Sequence, residues 1–199
     1  MNAPRTPVRA RGPALRVWDR PVRLLHWLLA AAVATAWCTD EHRLAVHQAA
    51  GYVALGAVAA RLAWGFLGNA AARFGGFVRS PGATWRYAAQ VWRGREPRYL
   101  GHNPLGGWMA VALLLGVAAT GATGWLYTTD AFWGLAWLDL LHRGLAWTVA
   151  ALVALHLAGV CFTSLRHREN LVRAMVSGRK PRGDAPAADA DRLRIDDAG

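Results

Sequence analysis

The 199-residue chain holds two cysteines, three methionines and 12 acidic residues against 23 lysines and arginines. It has no C-x-x-C-H pattern, which excludes a haem attached through thioether bonds. Cys38 and Cys161 fall toward opposite ends of two different apolar segments. Helix rise sets them about 20 Å or more apart, too far for a disulfide, and they read as small apolar packing residues. The shortage of acid leaves a formal net charge of +11 and a pI of about 11.2. In a soluble chain such basicity points to nucleic acid. Here 54% of residues are hydrophobic and the mean hydropathy is +0.16, too apolar for a soluble protein of that charge. The arginines also flank apolar stretches, where anionic lipid is the natural partner, so nucleic acid is set aside.

Four long apolar stretches are present, at about 22–39, 44–67, 105–127 and 141–165. A span needs roughly 20 apolar residues, which the last three supply. The first is short, and Arg20 and Arg23 extend it by snorkelling to headgroups. Ala34-Thr35-Ala36 resembles a signal-peptidase site. The leader before it is long and Trp37 follows it, and cleavage would leave an odd number of spans, so the segment is read as a span. The expected fold class is therefore all-α, an integral membrane four-helix bundle.

Charge sets its orientation. Residues 1–23 carry six Lys and Arg, the loop 68–104 six, and the segment after Leu165 eight, whereas the loops 40–43 and 128–140 carry one between them. Cationic loops stay on the cytoplasmic side, which places both termini there. Residues 1–16 read as an N-terminal arm, 17–180 as the membrane domain, and 181–199 as a polar tail expected to be disordered. Ser80-Pro81 is a helix start, and Trp85, Ala88 and Trp92 recur at helical spacing, an interfacial helix. Trp133 and Trp137, four apart, predict a short surface helix over 131–141.

Against this apolar background four histidines stand out: His26, His47, His142 and His156. Ionisable side chains are costly in a bilayer and mark functional sites. His142 and His156 are 14 residues apart on one span, which returns to nearly the same helix face about 21 Å further along. Tracing the spans pairs His47 with His142 near the outer side and His26 with His156 near the inner side. Four histidines at two depths cannot form one tetrahedral zinc shell. Two imidazoles per iron, at two levels, suit two non-covalent bis-histidine haems b and favour electron transfer over oxygen binding. His42, His102 and His167 are flanked by loop or polar residues and read as interfacial hydrogen-bonding groups.

Gly51 and Gly56 beyond His47, and Gly121 and Gly124 in the third span, either let a porphyrin approach the backbone or serve plain helix packing. Arg61, charged within the second span, either meets a haem propionate or snorkels to the headgroups. Arg23, His102, Asn103 and Arg166 gather at the same interface as further propionate candidates.

These residues resemble the bacterial cytochrome b561 group, which includes the b-type subunits of Ni/Fe-hydrogenases and formate dehydrogenase gamma subunits. The likeness runs from about Val17 to Lys180. It rests on Val17-Trp18-Asp19 with Val22-Arg23 and His26-Trp27, on His47 with Gly51, and on Arg61 with Trp64-Gly65. Gly101-His102-Asn103-Pro104, His142 with His156, and Ser164 leading to Glu169-Asn170-Leu171 and Gly178-Arg179-Lys180 complete it. The resemblance implies a four-helix bundle in the bacterial inner membrane holding two haems b on His26, His47, His142 and His156. It further implies electron transfer between the quinone pool and a redox partner protein, such as a c-type cytochrome or a hydrogenase-like or dehydrogenase-like subunit. The outer loops are shorter than those with which the hydrogenase-type members dock a large partner. Two other readings stand beside this one: a superoxide:quinone oxidoreductase of the same family, and, from a different class, a small transporter or assembly protein using intramembrane His and Arg without haem.

Overall fold

A computed structural model describes residues 14–39, 43–69 and 72–181. The disordered tail expected over 181–199 lies outside the described residues apart from Pro181, as do most of the N-terminal arm and His42. The elements are β1 (Leu15–Arg16), α1 (Arg20–Cys38), α2 (Leu44–Leu67), α3 (Phe74–Phe77), α4 (Pro81–Trp92), α5 (Pro104–Tyr127), α6 (Ala136–Arg166), α7 (Leu171–Ser177) and β2 (Arg179–Lys180). Among them α1, α2, α5 and α6 are long and apolar enough to cross a membrane.

Several helix starts are written locally. Asp19 accepts a hydrogen bond from Val22 N at 2.8 Å with Pro21 in the first turn, and Asn103 accepts from Gly106 N at 2.7 Å with Pro104 following. Ser80 and Asn170 start α4 and α7 in the same way. In each case a side-chain oxygen satisfies an otherwise orphaned amide. The interfacial helix expected after Ser80 is α4, with Trp85 and Trp92 exposed.

The short surface helix expected over 131–141 is not a separate element. Turns run through Gly134, whose φ of +75° stops any earlier helix, and α6 then begins at Ala136 and continues unbroken through the predicted fourth span. Nothing between Ala136 and Leu141 breaks a helix, and Asp139 pairs with Arg143 one turn on. At 31 residues, α6 is about 46 Å long, more than the roughly 30 Å hydrocarbon layer requires.

Helix α2 packs between α1 and α5, and α5 packs between α2 and α6. Trp37 of α1 meets Trp147 of α6 edge to face, centroids 4.9 Å apart, which brings the fourth helix beside the first. The shared core is small-residue rich: Ala32, Ala54, Val58, Leu114, Val117 and Val149. The outward faces are large and apolar, with Leu24, Leu67 and Leu165 strongly exposed, as a protein with a hydrocarbon solvent requires. Cys38 and Cys161 belong to these exposed faces and form no disulfide, so they are not the packing residues the sequence implied.

One end of the bundle, the basic end, gathers α3, α4, α7 and the two-stranded β1–β2 ribbon, in which Leu15 opposes Lys180 and Arg16 opposes Arg179. Val17 N donates to Gly178 O at 2.8 Å, tying the first described residues to the last. At the other, hairpin end lie the connections between α1 and α2 and between α5 and α6.

Candidate functional site

The four histidines meet two by two. At the basic end the rings of His26 and His156 have centroids 6.4 Å apart. At the hairpin end those of His47 and His142 are 6.2 Å apart. A metal held at about 2 Å by one nitrogen from each ring, with each nitrogen about 1.1 Å from its own centroid, requires centroids about 6.2 Å apart. All four rings are half-buried on helix faces turned toward one another. Along α6 the two levels are separated by 14 residues, about 21 Å.

The hairpin-end pair is held by the backbone. His47 Nδ1 lies 2.9 Å from Ala36 O, and His142 Nδ1 lies 3.0 Å from Thr120 O. A carbonyl only accepts, so each Nδ1 carries the proton and each Nε2 keeps its lone pair free for a metal. A cavity of about 780 Å³, counted to its open mouth, lies beside both rings and is lined by Gly51, Leu55, Gly121 and Gly124 among others.

The glycines divide by role. A Cβ on Gly51 would meet nothing within 4 Å, so its absence leaves open space in the cavity wall. A Cβ on Gly121 would sit 2.6 Å from Leu55, so this glycine also serves the approach of α5 to α2. On Gly124 it would press on His142 Cε1 at 3.0 Å, so Gly124 makes room for the ring. Gly56 likewise has open space beside it.

The basic-end pair has different surroundings. Buried and without a hydrogen-bond partner among the described residues are His26 Nδ1, Arg23 Nε, Arg61 Nη1 and His102 Nδ1. Such atoms are rare because each orphan costs about 1–3 kcal/mol. Arg61 is otherwise held in place: Nη2 donates to Ala72 O at 3.1 Å and the guanidinium stacks on Phe74, 5.0 Å from its centroid. Arg23 donates to Val176 O. His102 packs against Phe77 and Trp18. Desolvation, reinforced by the nearby Arg61 and Lys180 cations, pushes its pKa down to about 3, so it is neutral at physiological pH. Orphaned donors beside a histidine pair are what an anionic carboxylate group would satisfy.

Two of the propionate candidates are engaged elsewhere. Arg166 donates to Glu96 Oε1 at 2.8 Å and to Gly94 O at 2.5 Å, and the Asn103 side-chain oxygen caps α5. Sequence spacing could not reveal the partner of Arg166, because Glu96 is 70 residues away. Residues whose structural roles the sequence hid now have reasons. Trp64 Nε1 donates to Asp19 Oδ2 at 2.8 Å, locking α2 to the start of α1. Gly65 admits the Phe74 ring on which Arg61 rests, since a Cβ there would lie 2.1 Å from it. Glu169 pairs with Arg98 at 2.9 Å and Lys180 at 3.4 Å. His167 caps α6 and lies away from both pairs. Thr123, not among the sequence candidates, puts its Oγ1 3.1 Å from His142 Nδ1.

Four helices long and apolar enough to cross a membrane carry two pairs of facing imidazoles. The family model described as prokaryotic cytochrome b561 matches residues 17–178, and the chain belongs to that family. It is similar to a probable Ni/Fe-hydrogenase B-type cytochrome subunit of Rhodobacter capsulatus, 27% identical over 218 aligned positions that cover 85% of this chain and 82% of that one. No solved structure matches. The chain is thus a multi-pass membrane cytochrome of the b type, acting in electron transfer.

Proposed function

We propose that this chain is a di-haem b cytochrome of the bacterial inner membrane that passes electrons between the quinone pool and a redox partner protein. Residues 17–180 form the four-helix membrane domain. Both termini and the loop 68–104 face the cytoplasm, in keeping with the distribution of Lys and Arg. His26 and His156 ligate the haem near the cytoplasm, and His47 and His142 ligate the haem near the opposite face. The supporting observation is the spacing of the two imidazole pairs, 6.4 and 6.2 Å, against the roughly 6.2 Å that two-nitrogen ligation requires.

The chain's residues divide the remaining work. Ala36 and Thr120 carbonyls fix the tautomers of His47 and His142. Gly51, Gly121 and Gly124 leave room at the same level. Arg61 and Arg23 offer unsatisfied N–H groups, and neutral His102 an unpartnered Nδ1, to propionates at the cytoplasmic level. Haem, when bound, would supply one-electron exchange, and the His26–His156 and His47–His142 pairs would hold it with two imidazoles each, which favours electron transfer over oxygen binding. The partner is a c-type cytochrome or a hydrogenase-like subunit, the latter supported by what the Rhodobacter relative is named for.

The test is optical. Protein purified in mild detergent and reduced with dithionite is expected to show b-type alpha bands, with two haems per chain by pyridine haemochrome. A colourless preparation from haem-replete cells refutes the proposal.

A further inference from the structure

Within the paired-histidine arrangement the two levels differ in what stands behind the rings. At the hairpin end Thr123 Oγ1 donates to its own helix, to Thr120 O at 2.9 Å or Ala119 O at 3.1 Å. Its proton is therefore used, and toward His142 Nδ1, 3.1 Å away, the oxygen accepts. The Nδ1–H of His142 is thus shared between two acceptors, Thr120 O and Thr123 Oγ1, one helix turn that also carries Gly124, the glycine that makes room for the ring. Thr123 is buried. At the basic end His26 Nδ1 is buried and has no partner among the described residues, and the cations Arg61 and Arg23 present unsatisfied N–H groups there.

We infer that Thr123 is a positioning residue that fixes the His142 imidazole from behind and makes it a stronger electron donor to iron than His26. An acceptor on Nδ1–H raises the basicity of a ligating imidazole. A more basic ligand stabilises the ferric state over the ferrous and lowers the midpoint potential of the haem it holds. This rests on the di-haem reading above.

The test is a potentiometric titration of the haem-loaded full chain, in wild type, Thr123→Val, Thr123→Ser and Arg61→Gln. Thr123→Val removes the second acceptor while keeping the shape, and is expected to move one haem's midpoint to more positive potential and leave the other in place. Thr123→Ser is expected to restore the wild-type value. Arg61→Gln removes a cation and is expected to move the other haem, to more negative potential. A Thr123→Val protein with both midpoints unchanged, or with a shift in the haem that Arg61→Gln also moves, overturns the assignment. A measurement that needs no haem separates this inference from the reading beneath it. In the full-length chain labelled with 15N-histidine and prepared without haem, the His142 Nδ1–H proton is expected to resonate further downfield in wild type than in Thr123→Val, and identical resonances in the two would overturn the inference. Failure of wild type to bind haem would refute the di-haem reading and leave that comparison to decide Thr123.

Discussion

His47 and His142 face each other at 6.2 Å between ring centroids, and each points its Nδ1 at a backbone carbonyl of a different neighbouring helix, Ala36 of α1 and Thr120 of α5. All four long helices therefore contribute to one level of the bundle. The rings come from α2 and α6, and their fixing groups come from α1 and α5. The pair cannot be moved without moving the bundle, which is how a rigid scaffold pre-organises ligands.

The first prediction concerns pairing. His26→Ala and His156→Ala should each abolish the same alpha-band component, and His47→Ala and His142→Ala the other. Low-temperature spectra of membranes from cells making each variant check this. Loss of different components within a pair would refute the ligand assignment.

Two glycines should respond oppositely. Gly65→Ala forces a Cβ into the Phe74 ring at 2.1 Å, an overpacking expected to cost about 1–3 kcal/mol and lower the melting temperature in detergent. Gly51→Leu extends into open cavity space, so the fold should survive while haem content falls from two per chain toward one. Circular dichroism melts beside pyridine haemochrome assays distinguish the two outcomes.

Arg61→Leu should weaken haem retention at the His26–His156 level. It removes the orphaned Nη1 donor and the Nη2 bond to Ala72 O, leaving that carbonyl without the guanidinium. The expected result is faster haem loss to apomyoglobin from one site only. Equal loss rates at both sites would count against a propionate role.

Acid should loosen the basic end through Glu96. The Arg166 hydrogen bond holds its carboxyl below the ordinary value of 4.5. A depressed folded-state pKa adds stability that is present above the unfolded value and is lost as pH falls through the lower folded one. Melting temperature should therefore drop below about pH 4.5, and Glu96→Gln should flatten that part of the profile. A variant with the wild-type slope there would remove Glu96 as its source.

Asp19→Ala should destabilise α1 in two ways. It removes the cap on Val22 N, worth about 1 kcal/mol, and it orphans Trp64 Nε1, a further 1–3 kcal/mol or so. Asp19→Asn has one side-chain oxygen, enough for the Val22 cap but not for Trp64 Nε1 as well, and should recover only the cap's share of the loss in the same thermal assay.

The sequence alone determined the four spans, because hydrocarbon tolerates only helices and their apolar lengths are written residue by residue. It also determined the candidate histidines, which stand out against an apolar background. It misplaced the start of α6, since the aromatic belt signal of Trp133 and Trp137 does not say whether a surface turn joins the next helix. Only the tertiary structure decided which groups stand behind each ring. The Ala36 and Thr120 carbonyls, the Thr123 hydroxyl and the Glu96 clasp on Arg166 reach their partners 11 to 70 residues away in the chain. Helical periodicity fixes which residues share a face. Contacts between faces depend on how four helices rotate and slide against one another, and that is settled by packing.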